Sequence, residues 1–183
     1  PRKFYCVTGG STQNKGVIPD VTLVDIYNEE FGERKAKNAL KWDTIPTAPF
    51  KREGSVKPYV QQLDQASEQR VSVEPQFKYL EQRKAIAKKS DEQKRIVLDI
   101  EQRKAELIAL EQETLKAENQ RRQATGQKPY ANWESYQASL DALAESRAKM
   151  KATQRPALPE EEAFVTEAAN VLLDYAKIQK VKS

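Results

Sequence analysis

Histidine is absent from this sequence, cysteine occurs once, and glycine occurs only six times in 183 residues. Without histidine the chain has no Cys-His nucleophile and no Ser-His-Asp triad, and with a single cysteine most zinc sites are excluded as well. Cys6 has no second cysteine to pair with, so no intrachain disulfide is possible. The remaining candidate nucleophiles are Cys6 and the hydroxyl and amine groups of serine, threonine and lysine.

Long apolar runs are also missing. No stretch approaches the roughly 18 apolar residues that a membrane span needs, and the first residues do not resemble a signal peptide. Hydrophobic residues make up 38% of the chain and charged residues 32%. This composition predicts a thin core and amphipathic helices with wide solvated faces.

The charges are numerous but nearly balanced. Lysine and arginine total 31, and aspartate and glutamate total 27, which gives a net charge of +4. The two signs alternate, as in EQRKAELIALEQETLKAENQRR, whereas a nucleic-acid-binding surface usually shows a clustered basic stripe. We therefore expect no nucleic-acid partner.

The first twenty residues differ from the rest. Residues 3–8, KFYCVT, alternate aromatic and polar side chains, and Val17 and Ile18 resume this pattern after GGSTQNKG. The pattern predicts a β-hairpin with a long turn. A two-stranded hairpin is marginal by itself, so we expect it to belong to a larger sheet. Detached from that sheet, it is expected to be disordered, to fold onto the helices, or to pair with another copy.

The central part predicts short elements and then two helices. Short helical pieces are predicted at 25–31 and 36–40, followed by a proline-containing linker at 44–55. Ser55 is predicted to cap the first long helix, and a break at 72–75 separates it from the second. The positions predicted to face the core are Tyr59, Val60, Leu63, Phe77, Tyr79, Leu80, Ile86 and Ala87.

A third helix is predicted to follow an extended connection. Three adjacent apolar residues in RIVLDI favour a short extended piece, after which Asp99 and Gln102 form a capping box. The alternative places a capping box at SDEQ and a helix through RIVLDI. The helix is expected to last to about Thr125, with Gly126 ending it. Its predicted apolar seam is Ile100, Leu107, Leu110, Thr114 and Ala117.

The last part predicts a loop and two further helices. GQKPYANWESY is an aromatic-rich loop, and the segment 139–153 is helical by propensity but has a weak apolar face, so we expect it to be partly exposed. The final helix is predicted to begin near Pro159, with three glutamates at the positive end of its dipole. Its predicted apolar side is Phe164, Ala168, Val171, Leu172 and Tyr175.

The residues by themselves predict no catalytic, cofactor-binding or metal-ligating position and no cofactor. No GxSxG elbow is present, and Gly9 with Gly10 lacks the further residues of a phosphate loop. The predicted fold class is mainly α: several amphipathic helices with a short N-terminal β-hairpin. The predicted divisions are 1–24 (hairpin), 25–50 (short helices and linker) and 51–183 (helical domain).

Three blocks of the sequence resemble one protease family. KFYCVTGGSTQNKGVIPDV resembles the strand pair that follows the catalytic lysine in tail-specific, or carboxy-terminal processing, proteases. GERKAKNALKWDTI resembles the next block of their long periplasmic members, and residues 158–180 resemble their ending. Cys6 and Lys41 stand where arginine and proline are frequent in the family, and neither position has a catalytic role there.

The resemblance implies a periplasmic serine endopeptidase with a Ser-Lys dyad and a PDZ domain that recognises apolar C-termini. Both dyad residues would precede this chain, which is then expected to begin inside a larger protein, with residues 1–24 as the last strands of the protease sheet. The chain would be an inactive accessory domain that frames the substrate chamber. The implied partners are the upstream protease and PDZ domains, unfolded protein substrates and a protein adaptor, with the inner membrane face as a further expected location of the parent.

A different class of function is also compatible with the residues. The chain would then be a stand-alone helical scaffold or adaptor that binds other proteins through the seam from Ile100 to Ala117. This hypothesis predicts self-association or a partner helix along that seam.

Overall fold

The fold is a set of packed α-helices preceded by an irregular segment. The computed structural model describes residues 3–24, 32, 36–51, 54–93 and 95–180. The helices within these ranges are α1 (Val60–Val73), α2 (Pro75–Glu92), α3 (Ile100–Ala124), α4 (Trp133–Lys149) and α5 (Pro159–Lys180), with single 3-10 turns at Lys57–Tyr59 and Ala152–Gln154. The predicted mainly helical class is confirmed. The short helix predicted at 25–31 lies outside the described residues.

Local capping chemistry sets most of the helix boundaries. Asp99 Oδ1 accepts a hydrogen bond of 2.8 Å from the Gln102 N–H, which starts α3. Asp99 is extended and residues 95–98 are not helical, which agrees with the predicted connection. Gly126, with φ +71°, follows the end of α3. Asn132 and Ser135 form a reciprocal capping box at the start of α4.

Helix α2 lies at the centre of the packing. It contacts α1, α3 and α5, while α1 also packs against α5 and α3 against α4. Phe77 of α2 meets Phe164 of α5 edge to face, with ring centroids 5.4 Å apart. The apolar residues buried among the described ranges are Leu63, Phe77, Tyr79, Leu80, Ile86, Ala117 and Tyr136.

Several positions predicted to be core are exposed. Ala87, Ala168 and Leu172 face solvent, and Ile100 and Leu107 are 64% and 45% exposed. Near the middle of α3 the contact with α2 includes an ion pair, in which Lys89 Nζ donates to Glu113 Oε2 at 3.0 Å. Of the predicted apolar seam of α3, Leu110 and Ala117 pack in the internal cluster with Tyr79 and Ile86, whereas Ile100 and Leu107 are exposed.

The N-terminal segment reverses direction earlier than predicted. Tyr5 and Ser11 form an isolated antiparallel bridge, and no longer strand occurs in the described ranges. Gly9 has φ +87°, which allows a tight turn after Cys6. The predicted partner strand at Val17 and Ile18 is instead 79% and 71% exposed. The predicted hairpin with a long turn is therefore not confirmed.

The described helices also bear on the relation to membranes. None of them combines the length and the apolar character needed to span a bilayer.

Candidate functional site

Two blocks of the sequence that resemble the protease family lie against each other. We call residues 3–16 together with 40–48 the clasp. In its centre, the Cys6 N–H donates to Gly10 O at 2.8 Å on one side. On the other side, the Ser11 N–H donates to Asp43 O at 3.0 Å, and the Ile45 N–H donates to Gly9 O at 2.8 Å. Residues 9–12 thus lie between two antiparallel neighbours.

Asp43 is the most connected side chain of the clasp. Its carboxylate accepts from Lys3 Nζ at 2.8 Å and from Tyr5 Oη at 3.2 Å. Lys3 Nζ also donates to Lys41 O at 2.7 Å. The hydrogen bond from Lys3 is the main reason that the pKa of Asp43 lies below its ordinary value.

Close backbone contacts hold the rest of the clasp together. A β-carbon at Gly9 would overlap the carbonyl oxygen of Ile45, so only glycine fits there. Lys15 Nζ lies 3.9 Å from the centroid of the Trp42 ring. Asn14, with φ +62°, donates through Nδ2 to Leu40 O at 3.0 Å.

An open apolar groove lies between the helices and the segment that follows the clasp. The segment 20–23, which leaves the clasp, faces α1 and α5 across a cavity of about 360 Å³. Tyr59 and Tyr175 lie at this junction, with ring centroids 5.8 Å apart. The apolar lining includes Val21, Leu23, Val60, Leu63, Val171 and Leu172. Ala168 and Leu172, predicted to be core, thus lie on the wall of an open groove.

An ion cluster joins α1 to α5. Arg70 donates through Nη2 and Nε to the carboxylate of Glu167 at 2.8 Å and 3.0 Å, and through Nη1 to Asp174 at 2.7 Å. Glu167 is only 3% exposed. Burial by itself would raise the pKa of both carboxyls, but the hydrogen bonds from Arg70 bring the pKa of each below its ordinary value.

A second buried cluster joins α2, α3 and α4. Arg121 donates through Nη2 and Nε to the carboxylate of Glu118 at 2.6 Å and 2.9 Å, and both residues are buried. The Arg121 guanidinium lies 5.4 Å from the centroid of the Tyr79 ring. Burial, followed by hydrogen bonding to Tyr79, raises the pKa of the neighbouring Tyr136 phenol.

Sequence reasoning missed both clusters. Glu167 and Asp174 lie on the same helical stripe as Phe164 and Val171, at spacings of three and four residues. A charged residue inside an apolar stripe indicates a buried partner, and that signal was available. The partner itself, Arg70, lies 97 positions away from Glu167, and no local pattern identifies it.

The described residues offer little for catalysis. They contain no group of three or more His, Cys, Asp or Glu side chains that could hold a metal ion. Cys6 is exposed. Ser146 and Lys149 have Ser-x-x-Lys spacing on α4, but Lys149 is 72% exposed and pairs with Glu145 at 2.6 Å. An enclosed lysine is what a general base requires. That the chain lacks catalytic residues stays a prediction.

The fold and the clasp define a helical domain fastened to a short β-like segment. The family described as the C-terminal domain of tail specific protease matches residues 26–177, and the chain belongs to this family. The chain is also 34% identical over 132 residues to the tail-specific protease of Haemophilus influenzae, which covers 69% of this chain and 19% of that protein. The chain therefore spans about a fifth of the length of this relative. The resemblance recognised in the sequence is confirmed.

Proposed function

We propose that this chain is the accessory C-terminal domain of a periplasmic serine endopeptidase that degrades or processes proteins from their apolar C-termini. In this proposal the domain helps to frame the substrate chamber and is inactive alone. Membership of the tail-specific protease family supports a protease parent. The match to only 19% of the Haemophilus relative supports a catalytic centre that is supplied by other parts of such a protein.

The observation that carries the proposal is the apolar surface of the clasp. Phe4 and Val7 are 75% and 58% exposed beside a backbone that is paired to residues 9–12 and, at Val7, to Ala48. Apolar side chains along a short β-like edge favour coverage by further β-structure. A preceding protease sheet would supply that cover, with the Ser-Lys dyad upstream of Lys3.

The helices suit a structural role in such a chamber. Helix α3 has 25 residues, which corresponds to a rod of about 37 Å. It packs against α2 along one side, and its exposed surface carries alternating charges together with the apolar side chains of Ile100, Leu107 and Ile108. A helix pair of this length is suited to form one wall of a chamber.

The proposal is tested with an unfolded substrate that ends in apolar residues. We expect the full-length parent to cleave this substrate and to cleave a version with a charged C-terminus more slowly, and the isolated chain to cleave neither. Gel analysis of product formation measures the cleavage of each substrate by the parent and by the isolated chain. Cleavage by the purified chain alone would contradict the placement of the dyad. An unchanged rate in a parent that lacks residues 51–183 would contradict the chamber role.

The stand-alone scaffold or adaptor is the second candidate. It is favoured by exposed apolar residues around the α2–α3 connection: Ile96, Leu98, Ile100, Leu107 and Ile108. It is weakened by Leu110, which packs on the internal cluster of Tyr79, Ile86 and Ala117. Sedimentation of the chain, alone and with a candidate partner helix, distinguishes the accessory domain from the scaffold. A chain that stays monomeric at high concentration and binds no partner helix argues against a scaffold.

A further inference from the structure

We infer that Asp43 is a positioning residue: it fixes the segment Lys3–Cys6 relative to the helices, so that the chain entering the clasp arrives in one orientation. The catalytic consequence of this inference rests on the proposed function, in which the dyad lies upstream of this segment. Asp43 would touch neither the substrate nor the reacting atoms. It would act through the backbone that it holds.

Three segments of the clasp meet at Asp43. Its carboxylate accepts hydrogen bonds from Lys3 and Tyr5, which belong to the outer segment, residues 3–6. Its backbone carbonyl oxygen accepts from the Ser11 N–H of the middle segment, residues 9–12. Lys3 is itself tied to Lys41 O. One residue therefore connects all three parts of the clasp.

The register of these three parts is fixed by several backbone contacts. Gly9 and Ile45 are in close backbone contact, and the Ile45 N–H bonds Gly9 O. The Thr47 hydroxyl donates to Thr8 O at 3.1 Å, and the Ala48 N–H donates to Val7 O at 3.0 Å. A shift of the register would break these bonds together.

The clasp is linked to the helices through the groove on α1 and α5. The chain leaves the clasp toward 20–23, which lines the groove on α1 and α5, and again toward Val56, which lines the same groove. Helices α1 and α5 are in turn joined by Arg70 and Glu167. The clasp segment and the helices therefore share one groove, which the chain lines at two points, 20–23 and Val56.

The position of Lys3–Cys6 is important for a catalytic dyad because the two dyad residues must be held in a precise geometry. Nucleophile and base must be held close to the reactive arrangement, and a displacement of about 1 Å can cost roughly a hundredfold in rate. A base on the chain that leads into Lys3 would be positioned in part by the segment that Asp43 holds. We therefore expect loss of the Asp43 contacts to slow the chemical step and to leave substrate binding nearly unchanged.

The test uses the full-length parent with three variants. In Asp43→Ala we expect kcat to fall by about tenfold and KM to change by less than about twofold. Asp43→Asn keeps an acceptor but loses the charge, so its loss should be smaller. Asp141→Asn removes an exposed carboxylate on α4 and serves as the matched control with unchanged kinetics. A charge exchange, Lys3→Asp with Asp43→Lys, should recover part of the rate.

Hydrogen exchange separates this inference from the proposed function. In Asp43→Ala the amides of residues 4–12 should exchange faster, while those of α1 and α5 stay protected. If the wild-type parent cleaves and Asp43→Ala keeps its kcat, or raises only KM, the positioning role is wrong. If the wild-type parent does not cleave, the proposed function fails. The positioning role of Asp43 is then judged by hydrogen exchange alone, and unchanged exchange of residues 4–12 in Asp43→Ala would show that it is wrong. If Asp43→Ala does not fold, as judged by loss of its helical circular dichroism signal, kcat, KM and hydrogen exchange are compared with the wild type in Asp43→Asn and Lys3→Ala instead.

Discussion

At the scale of single residues, Gly9 determines the shape of the clasp. Its φ of +87° is in the region that other residues avoid, and its α-carbon faces the carbonyl of Ile45 with no room for a side chain. The sequence offers paired glycines and a hydrogen-bonding turn composition at this point, which predicts a turn. It does not show which glycine bears the close contact, because Ile45 lies 36 positions further along.

Replacing Gly9 by alanine should open the clasp. The substitution combines left-handed backbone strain with a clash against Ile45, so we expect a loss of about 2 kcal/mol of local stability. Amides of residues 6–12 should exchange about 30-fold faster, which corresponds to that free energy. The helical circular dichroism signal should be unchanged.

Two other glycines provide matched controls for this experiment. Gly16 has φ +62° in open space, so Gly16→Ala should show only the strain, about 1 kcal/mol. Gly54 has open space and no such backbone angle, so Gly54→Ala should have no effect on exchange. Equal exchange in Gly9→Ala and Gly54→Ala would mean that the contact with Ile45 is unimportant.

At the scale of secondary-structure elements, α5 shows what periodicity predicts and what it leaves open. The helix itself and the inward position of Phe164 follow from spacing. The rotation of the helix does not, because Glu167 and Asp174 face α1, whereas Ala168 and Leu172 lie on an exposed groove wall. An arginine that satisfies two carboxylates can make an acidic stripe the inner face of a helix.

Glu167→Gln should weaken the attachment of α5 to α1. A buried pair that loses one partner typically costs 3–5 kcal/mol, but Arg70 is about one-third exposed and keeps Asp174, so we expect about 2 kcal/mol. Urea unfolding followed at 222 nm measures this. Glu145→Gln, which breaks an exposed pair with Lys149 on α4, is the control and should change stability by less than about 0.5 kcal/mol. A similar cost for both variants would contradict the importance of the α1–α5 cluster.

At the scale of the whole molecule, the cluster on α1 and α5 makes stability depend on acid. The carboxyls of Glu167 and Asp174 have a native pKa below their ordinary values of 4.5 and 3.8. The unfolded chain therefore binds protons first as the pH falls, so these groups stabilise the fold fully above about pH 5 and lose that contribution as the pH drops through their native pKa.

The expected result is a stability that is flat from pH 7 to about pH 5 and decreases below it. Urea midpoints at several pH values between 3 and 7 measure this profile. The double substitution Glu167→Gln with Asp174→Asn should be less stable at pH 7 and should show a shallower decrease in acid. An equally steep decrease in the double variant would place the acid dependence elsewhere, for example at Asp43, whose pKa is also lowered.

The molecule as a whole also shows why the N-terminal prediction was only partly successful. The predicted hairpin, residues 3–20, is expected to be disordered, to fold onto the helices or to pair with another copy when separated from a sheet. Residues 3–16 pair instead with 43–48 of the same chain, through the bonds at Asp43, Ile45 and Ala48. The absence of a nucleic-acid partner and the domain boundaries stay predictions.

The sequence by itself determined the helical class, the breaks at Glu74 and at 95–99, the cap at Asp99 and membership of the tail-specific protease family. These features depend on residues within a few positions of one another, or on motifs that are read directly. Only the tertiary structure decided that Asp43 meets Lys3, that Ile45 meets Gly9 and that Arg70 meets Glu167. Those pairs are 36 to 97 positions apart, and such contacts form because helix packing and backbone pairing bring distant residues together, which local periodicity does not encode.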